Sequence, residues 1–111
     1  MGGVENMERL EVEKFLMELG GFERELLTLL VIEGNEQTIE MGNVCLKELY
    51  AKLAKQKGIS EKEVERKVRS GLEIMAYRGN VVLVEATFGR YHERVRVTPK
   101  RFVQIMVKKF A

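Results

Sequence analysis

The side chains best suited to chemistry in this sequence are basic, and they fall into two spaced groups. Lys62, Arg66, Lys67, Arg69 and Ser70 gather at helical spacing within residues 60–78, and Arg90, Arg94 and Arg96, with His92 among them, occupy alternate positions. A guanidinium presents a two-pronged set of donors that matches phosphate. On a helix, Arg and Lys also reach the guanine acceptors of a major groove. Lys55 and Lys57 precede the first group and are placed for further contacts to a nucleic-acid backbone. Glu61, Glu63, Glu65 and Glu73 share the first segment. A second reading of it is therefore a solvated helix laced with i,i+4 pairs such as Glu63–Lys67 and Glu65–Arg69.

Catalysis finds few candidates. His92 is the only histidine, Cys45 the only cysteine, and aspartate is absent. No triad or metal cluster assembles from that inventory. Cys45 lies among apolar residues, where a buried structural thiol is favoured over a nucleophile. The glycines at 2–3, 20–21 and 34 lack the Lys-Ser/Thr that follows a phosphate-cradling loop. The expectation is a non-enzyme with no catalytic residue, metal, cofactor or small-molecule ligand.

Charge is unevenly distributed. Residues 1–50 hold 4 bases and 11 glutamates, a net −7, whereas residues 51–111 hold 15 bases and 6 glutamates, a net +9. Such polarity points to a partner that reads charge, nucleic acid foremost. The alternative is that the two halves face each other or a second subunit. Lys and Glu are plentiful and Asn and Gln scarce, as in proteins from hot environments. With 111 residues, 45% hydrophobic and 32% charged, the chain fits one soluble domain over 1–111. No apolar run exceeds the four residues of Leu29-Leu30-Val31-Ile32, too short to span a membrane. No signal peptide opens the chain, so a cytoplasmic location is expected.

The elements that position the two basic groups follow from periodicity. Residues 4–19 read as a helix stopped by Gly20-Gly21, and residues 22–33 as a helix apolar on most of its surface, stopped by Gly34-Asn35. Gln37–Met41 reads as a brief strand. A helix follows, with Asn43 as N-cap and Val44, Leu46, Leu49, Tyr50 and Leu53 at helical spacing. Ser60-Glu61-Lys62-Glu63 is a capping box. It opens a helix over 61–78 whose core side carries Val64, Val68, Leu72 and Met75. Gly71 inside that helix either admits close packing, the favoured reading, or kinks it. Residues 81–88 alternate at period two, Gly89-Arg90 offers a turn, and Val95 and Val97 alternate on the return, the pattern of an antiparallel hairpin. Thr98-Pro99 opens a last helix over 99–110.

Without its first and last helices this order resembles the winged-helix domain, a helix-turn-helix variant with a β-hairpin wing. The resemblance rests on Val68-x3-Leu72-x2-Met75-x3-Gly79 running into Val81-Val82, and on the tight Lys57-Gly58-Ile59-Ser60 junction. It covers about residues 22–98. The fold class expected is therefore α+β: a winged helix-turn-helix with a C-terminal hairpin wing and extra N- and C-terminal helices. The similarity, to small prokaryotic or archaeal transcriptional regulators, implies a double-stranded DNA partner. Helix 60–78 would enter the major groove and the basic wing 81–98 would lie on the backbone. The flanking helices, about 4–19 and 99–110, would either enlarge the core or build a homodimer, the latter being favoured. The competing function is a winged-helix protein-interaction module within a larger transcription or replication assembly.

Overall fold

The computed structural model describes residues 8–89 and 97–110. Among these residues the fold is built from six helices: α1 (Arg9–Leu19), α2 (Arg24–Met41), α3 (Leu46–Lys57), α4 (Glu61–Arg78), α5 (Val81–Phe88) and α6 (Pro99–Phe110). No strand is present among them. The expected α+β class is thereby overturned, and with it the hairpin wing.

The correction centres on residues 81–88, which form α5 rather than a strand. The Asn80 side chain accepts the Leu83 N–H at 3.2 Å and caps the helix. Val84 and Phe88, four residues apart, turn into the core at 5% and 1% exposure. Three valines and Thr87 cost a helix about 0.5 kcal/mol each relative to better formers. Burying Val84 and Phe88 returns about 1.5–3 kcal/mol apiece, and the cap adds about 1 kcal/mol. Packing outweighs β-propensity. The expected return strand lies largely outside the described residues.

The second correction concerns α2. Gly34-Asn35 does not stop it and Gln37–Met41 is not a strand, because the helix runs on to Met41 and ends at Gly42, whose φ is +83°. Gly34 serves packing instead: a Cβ there would collide with the Val103 side chain of α6. Asn35 and Gln37, read as loop and strand, are buried within the helix. The Gln37 carboxamide accepts the Cys45 N–H at 2.7 Å and donates to the Cys45 carbonyl at 3.1 Å. It thus steadies the entry to α3, where the expected Asn43 cap is not used and the N-cap is Cys45.

The helices share one hydrophobic core. α2 lies at its centre, packed against α1, α3, α4 and α6, while α5 rests on α1, α4 and α6. Leu27, Leu30 and Val31 of α2 are fully buried, and so are Val12, Leu16 and Leu19 of α1 and Phe102, Val103 and Met106 of α6. Both flanking helices therefore bury an apolar face inside this chain, while Leu10 and Met17 of α1 stay exposed. Gly71 is a close-approach position: a Cβ there would sit 2.8 Å from the Phe22 carbonyl oxygen, so α4 presses against the α1–α2 junction.

Candidate nucleic-acid interface

The interface is framed by α3, a short turn and α4. Gly58 ends α3 at φ +70°, a left-handed conformation that glycine adopts at little cost. Two residues later Ser60 caps α4, its Oγ accepting the Glu63 N–H at 3.1 Å. That is one half of the expected capping box. The Glu63 carboxylate turns instead to Arg66, which donates to it at 2.6 and 3.1 Å. The two helices pack on each other through a core that includes Leu49, Leu53, Val64 and Val68. Burying Val64, Val68, Leu72 and Met75 commits the other side of α4 to solvent.

On that side Lys62, Arg66, Arg69 and Ser70 come together with Glu65 and Glu73 around one shallow, open depression. Four of the five residues expected on this helix therefore share a surface. Lys67 does not join them: its ammonium faces Glu23 at 3.9 Å, beside the α1–α2 junction. Of the basic residues at the end of α3, Lys55 is exposed, whereas the Lys57 ammonium is held by Glu25 at 3.0 Å. Arg90, Arg94 and Arg96 lie outside the described residues, as does His92.

Carboxylates temper much of this basic surface. Arg69 donates to Glu65 at 3.2 Å, the i,i+4 pair that the spacing suggests, whereas Glu63 pairs with Arg66 rather than Lys67. Glu63 titrates below the usual carboxylate range because Arg66 donates to it, and the same contact raises Arg66. Glu25 is likewise lowered, chiefly by the Lys57 hydrogen bond. Lys52 is raised by Glu33, whose carboxylate it meets at 2.6 Å, with Glu36 and Glu40 adding smaller contributions. Three contacts, Lys52–Glu33, Lys57–Glu25 and Lys67–Glu23, run from the basic half of the chain to the acidic half. Part of the sequence polarity is thus spent inside one molecule. All these pairs are at least partly solvent-exposed and individually contribute about 0–1 kcal/mol. They do not forbid exchange of a carboxylate for a phosphate.

One aromatic on α3 abuts this face. The Tyr50 hydroxyl is buried and has no hydrogen-bond partner among the described residues. Burial, with a smaller push from Glu65, raises its pKa to about 12.

Glu65 and Glu73, which the sequence places on the same helix as the bases, line the same depression. One feature was missed by sequence reasoning: the start of α6 also reaches this region. Val97, Thr98 and Pro99 line a cleft of about 250 Å³ with Arg69, Leu72, Glu73, Ala76 and Tyr77 of α4. No helix among the described residues is long and apolar enough to cross a membrane.

The profile of the family described as sporulation initiation factor Spo0A C terminal matches residues 27–110. The match runs from the first turns of α2 to the end of α6. No curated protein and no solved structure matches the chain.

Proposed function

The chain belongs to the Spo0A C-terminal family, and from that premise we propose that it binds double-stranded DNA as a transcription regulator. The family is a helical DNA-binding domain of a transcription factor, regulatory rather than enzymatic. In this reading α3, the turn and α4 act as a helix-turn-helix. α4 enters the major groove with Lys62, Arg66, Arg69 and Ser70 toward base edges and phosphates. Lys55, at the end of α3, contacts the backbone. Lys57 and Lys67 would contact phosphate only by leaving Glu25 and Glu23. Arg90, Arg94 and Arg96, in the segment joining α5 to α6, are proposed as further phosphate contacts.

The observation that carries this reading is the exposed face of α4. It gathers donors of the right length on a helix that packs on α3 and is capped at its N-terminus by Ser60. The pairing of Arg66 and Arg69 with glutamates favours the second reading, a module that binds protein. If the protein works as a homodimer on paired half-sites, Leu10 and Met17 are the exposed apolar residues that α1 leaves for the second copy.

Fluorescence anisotropy with random duplex DNA across a salt series separates the readings. A DNA binder gives a slope of log affinity against log salt near −4 or steeper, which corresponds to roughly four or more neutralised phosphates. Absence of binding even at low salt would reject this function in favour of the protein-binding module.

A further inference from the structure

Resting on the DNA-binding reading, we propose that the outward face of α6 is a second phosphate-contacting surface, gripping the backbone of the same duplex without regard to sequence. α6 carries four bases, Lys100, Arg101, Lys108 and Lys109, and no acid. Its core side is fixed by Phe102, Val103, Met106 and Val107. At about 100° per residue, that burial leaves Lys100, Gln104, Lys108 and Arg101 within an outward arc of about 100°. Each of these side chains is exposed, and each offers N–H donors.

The contrast with α4 is electrostatic. On α4, Arg66, Arg69 and Lys67 each face a glutamate. On α6, no lysine forms an ion pair among the described residues. Among the described residues the Arg101 side chain bonds to a neutral group, donating to the Phe88 carbonyl at 3.3 Å. Among the described residues, the two grooves that flank Lys108, one against α2 and one against α1 and α5, are lined by no carboxylate. A phosphate arriving here displaces no carboxylate of the described residues, whereas one arriving at Arg66 or Arg69 must.

Placement makes the two surfaces compatible with one duplex. Thr98 and Pro99, at the start of α6, line a cleft with Arg69 and Glu73 of α4. Lys100 therefore follows directly on the border of the groove-facing surface. From Lys100 to Lys108 the helix rises about 12 Å, a length over which one strand presents about three or four phosphates. Basic residues that meet only phosphates set affinity and register, and base contacts set sequence preference. α6 supplies the first, and α4 the second.

The test uses the full chain with Lys100→Gln and Lys108→Gln combined, both at exposed positions so that the core is untouched, and Arg69→Ala as the comparison. Thermal melting checks that each variant folds like the wild type. Binding to a pool of random-sequence duplexes is then followed across a salt series, and the bound fraction is sequenced. The expected result for the double variant is a salt slope shallower by about two, with affinity reduced equally across the pool and the enriched sequences unchanged. Arg69→Ala should change the enriched sequences. A double variant with the wild-type slope, or with altered sequence preference, overturns the role of α6 while leaving DNA binding intact. A wild type that binds no duplex at any salt overturns both.

Discussion

α4 and α5 adjoin in the chain and each begins with a polar cap, yet they are specified in different ways. α4 alternates buried Val64, Val68, Leu72 and Met75 with charged residues, so its helical period is written in the contrast between the two kinds. α5 offers almost no contrast: Val81, Val82, Leu83, Val84, Ala86 and Phe88 are all apolar, and only Glu85 and Thr87 interrupt them. A pattern of period two and one of period 3.6 both fit such a run. What decides is a pair of distant contacts, Val84 and Phe88 against the core, with Phe88 stacked on Phe102 of α6 at 5.8 Å between ring centroids. An amphipathic helix carries its own address, whereas a short apolar one takes its conformation from what it packs on.

Breaking that dependence should have the largest effect. Phe88→Ala removes a fully buried ring and is expected to cost about 3–5 kcal/mol, read as a lower denaturant midpoint. A strand or loop loosely held at this position would lose far less. The two caps sharpen the comparison. Ser60→Ala and Asn80→Ala should each cost about 1 kcal/mol in chemical denaturation. The Asn80 loss in particular requires the helix, since a strand has no use for an acceptor at Leu83 N–H.

A pH titration probes the α3–α4 side. The Tyr50 phenol is favoured neutral in the fold and ionises near 12, against 10.0 when unfolded. The unfolded chain therefore loses its proton first as pH rises, and stability falls between those values. After allowance for the partial exposure of the residue, the loss is on the order of 1 kcal/mol. Tyr50→Phe should make the alkaline decline shallower by that amount, seen in urea midpoints measured from pH 9.5 to 11.5, and leave the part that Lys52 contributes. The smallest effect is the most diagnostic of conformation. Val82 is 79% exposed on α5, so Val82→Ala should be neutral or stabilise by about 0.5 kcal/mol through helix propensity. In a strand the same change would destabilise.

Much of the helical frame was legible from sequence because its punctuation is local. The limits of α4 and α6 follow from Ser60 and from Thr98-Pro99, and Thr98 Oγ1 does accept the Arg101 N–H at 3.2 Å. The outward residues of α4 follow from the four that are buried. The run of α2 through Gly34 was not legible, since a glycine required by Val103 looks the same as one that ends a helix. Nor were the partners of Lys52, Lys57 and Lys67 legible. Glu33, Glu25 and Glu23 reach them through space from another helix. Sequence showed two oppositely charged halves and offered their mutual contact as one alternative, without fixing which residues meet. The contrast between a paired α4 and an α6 without an ion pair among the described residues was hidden for the same reason.

The bare backbone at Gly34 also bears on how the molecule comes into being. The side chain that fills the space beside it belongs to Val103, roughly seventy positions later, a separation that makes loop closure a late and slow event in folding. During synthesis α2 emerges before α6, so the part of its apolar surface that Val103 and Val107 cover is left bare until α6 follows. Until then the nascent chain has helices but an incomplete interior, and the exposed seam of α2 is the surface on which chaperones or aggregation would act.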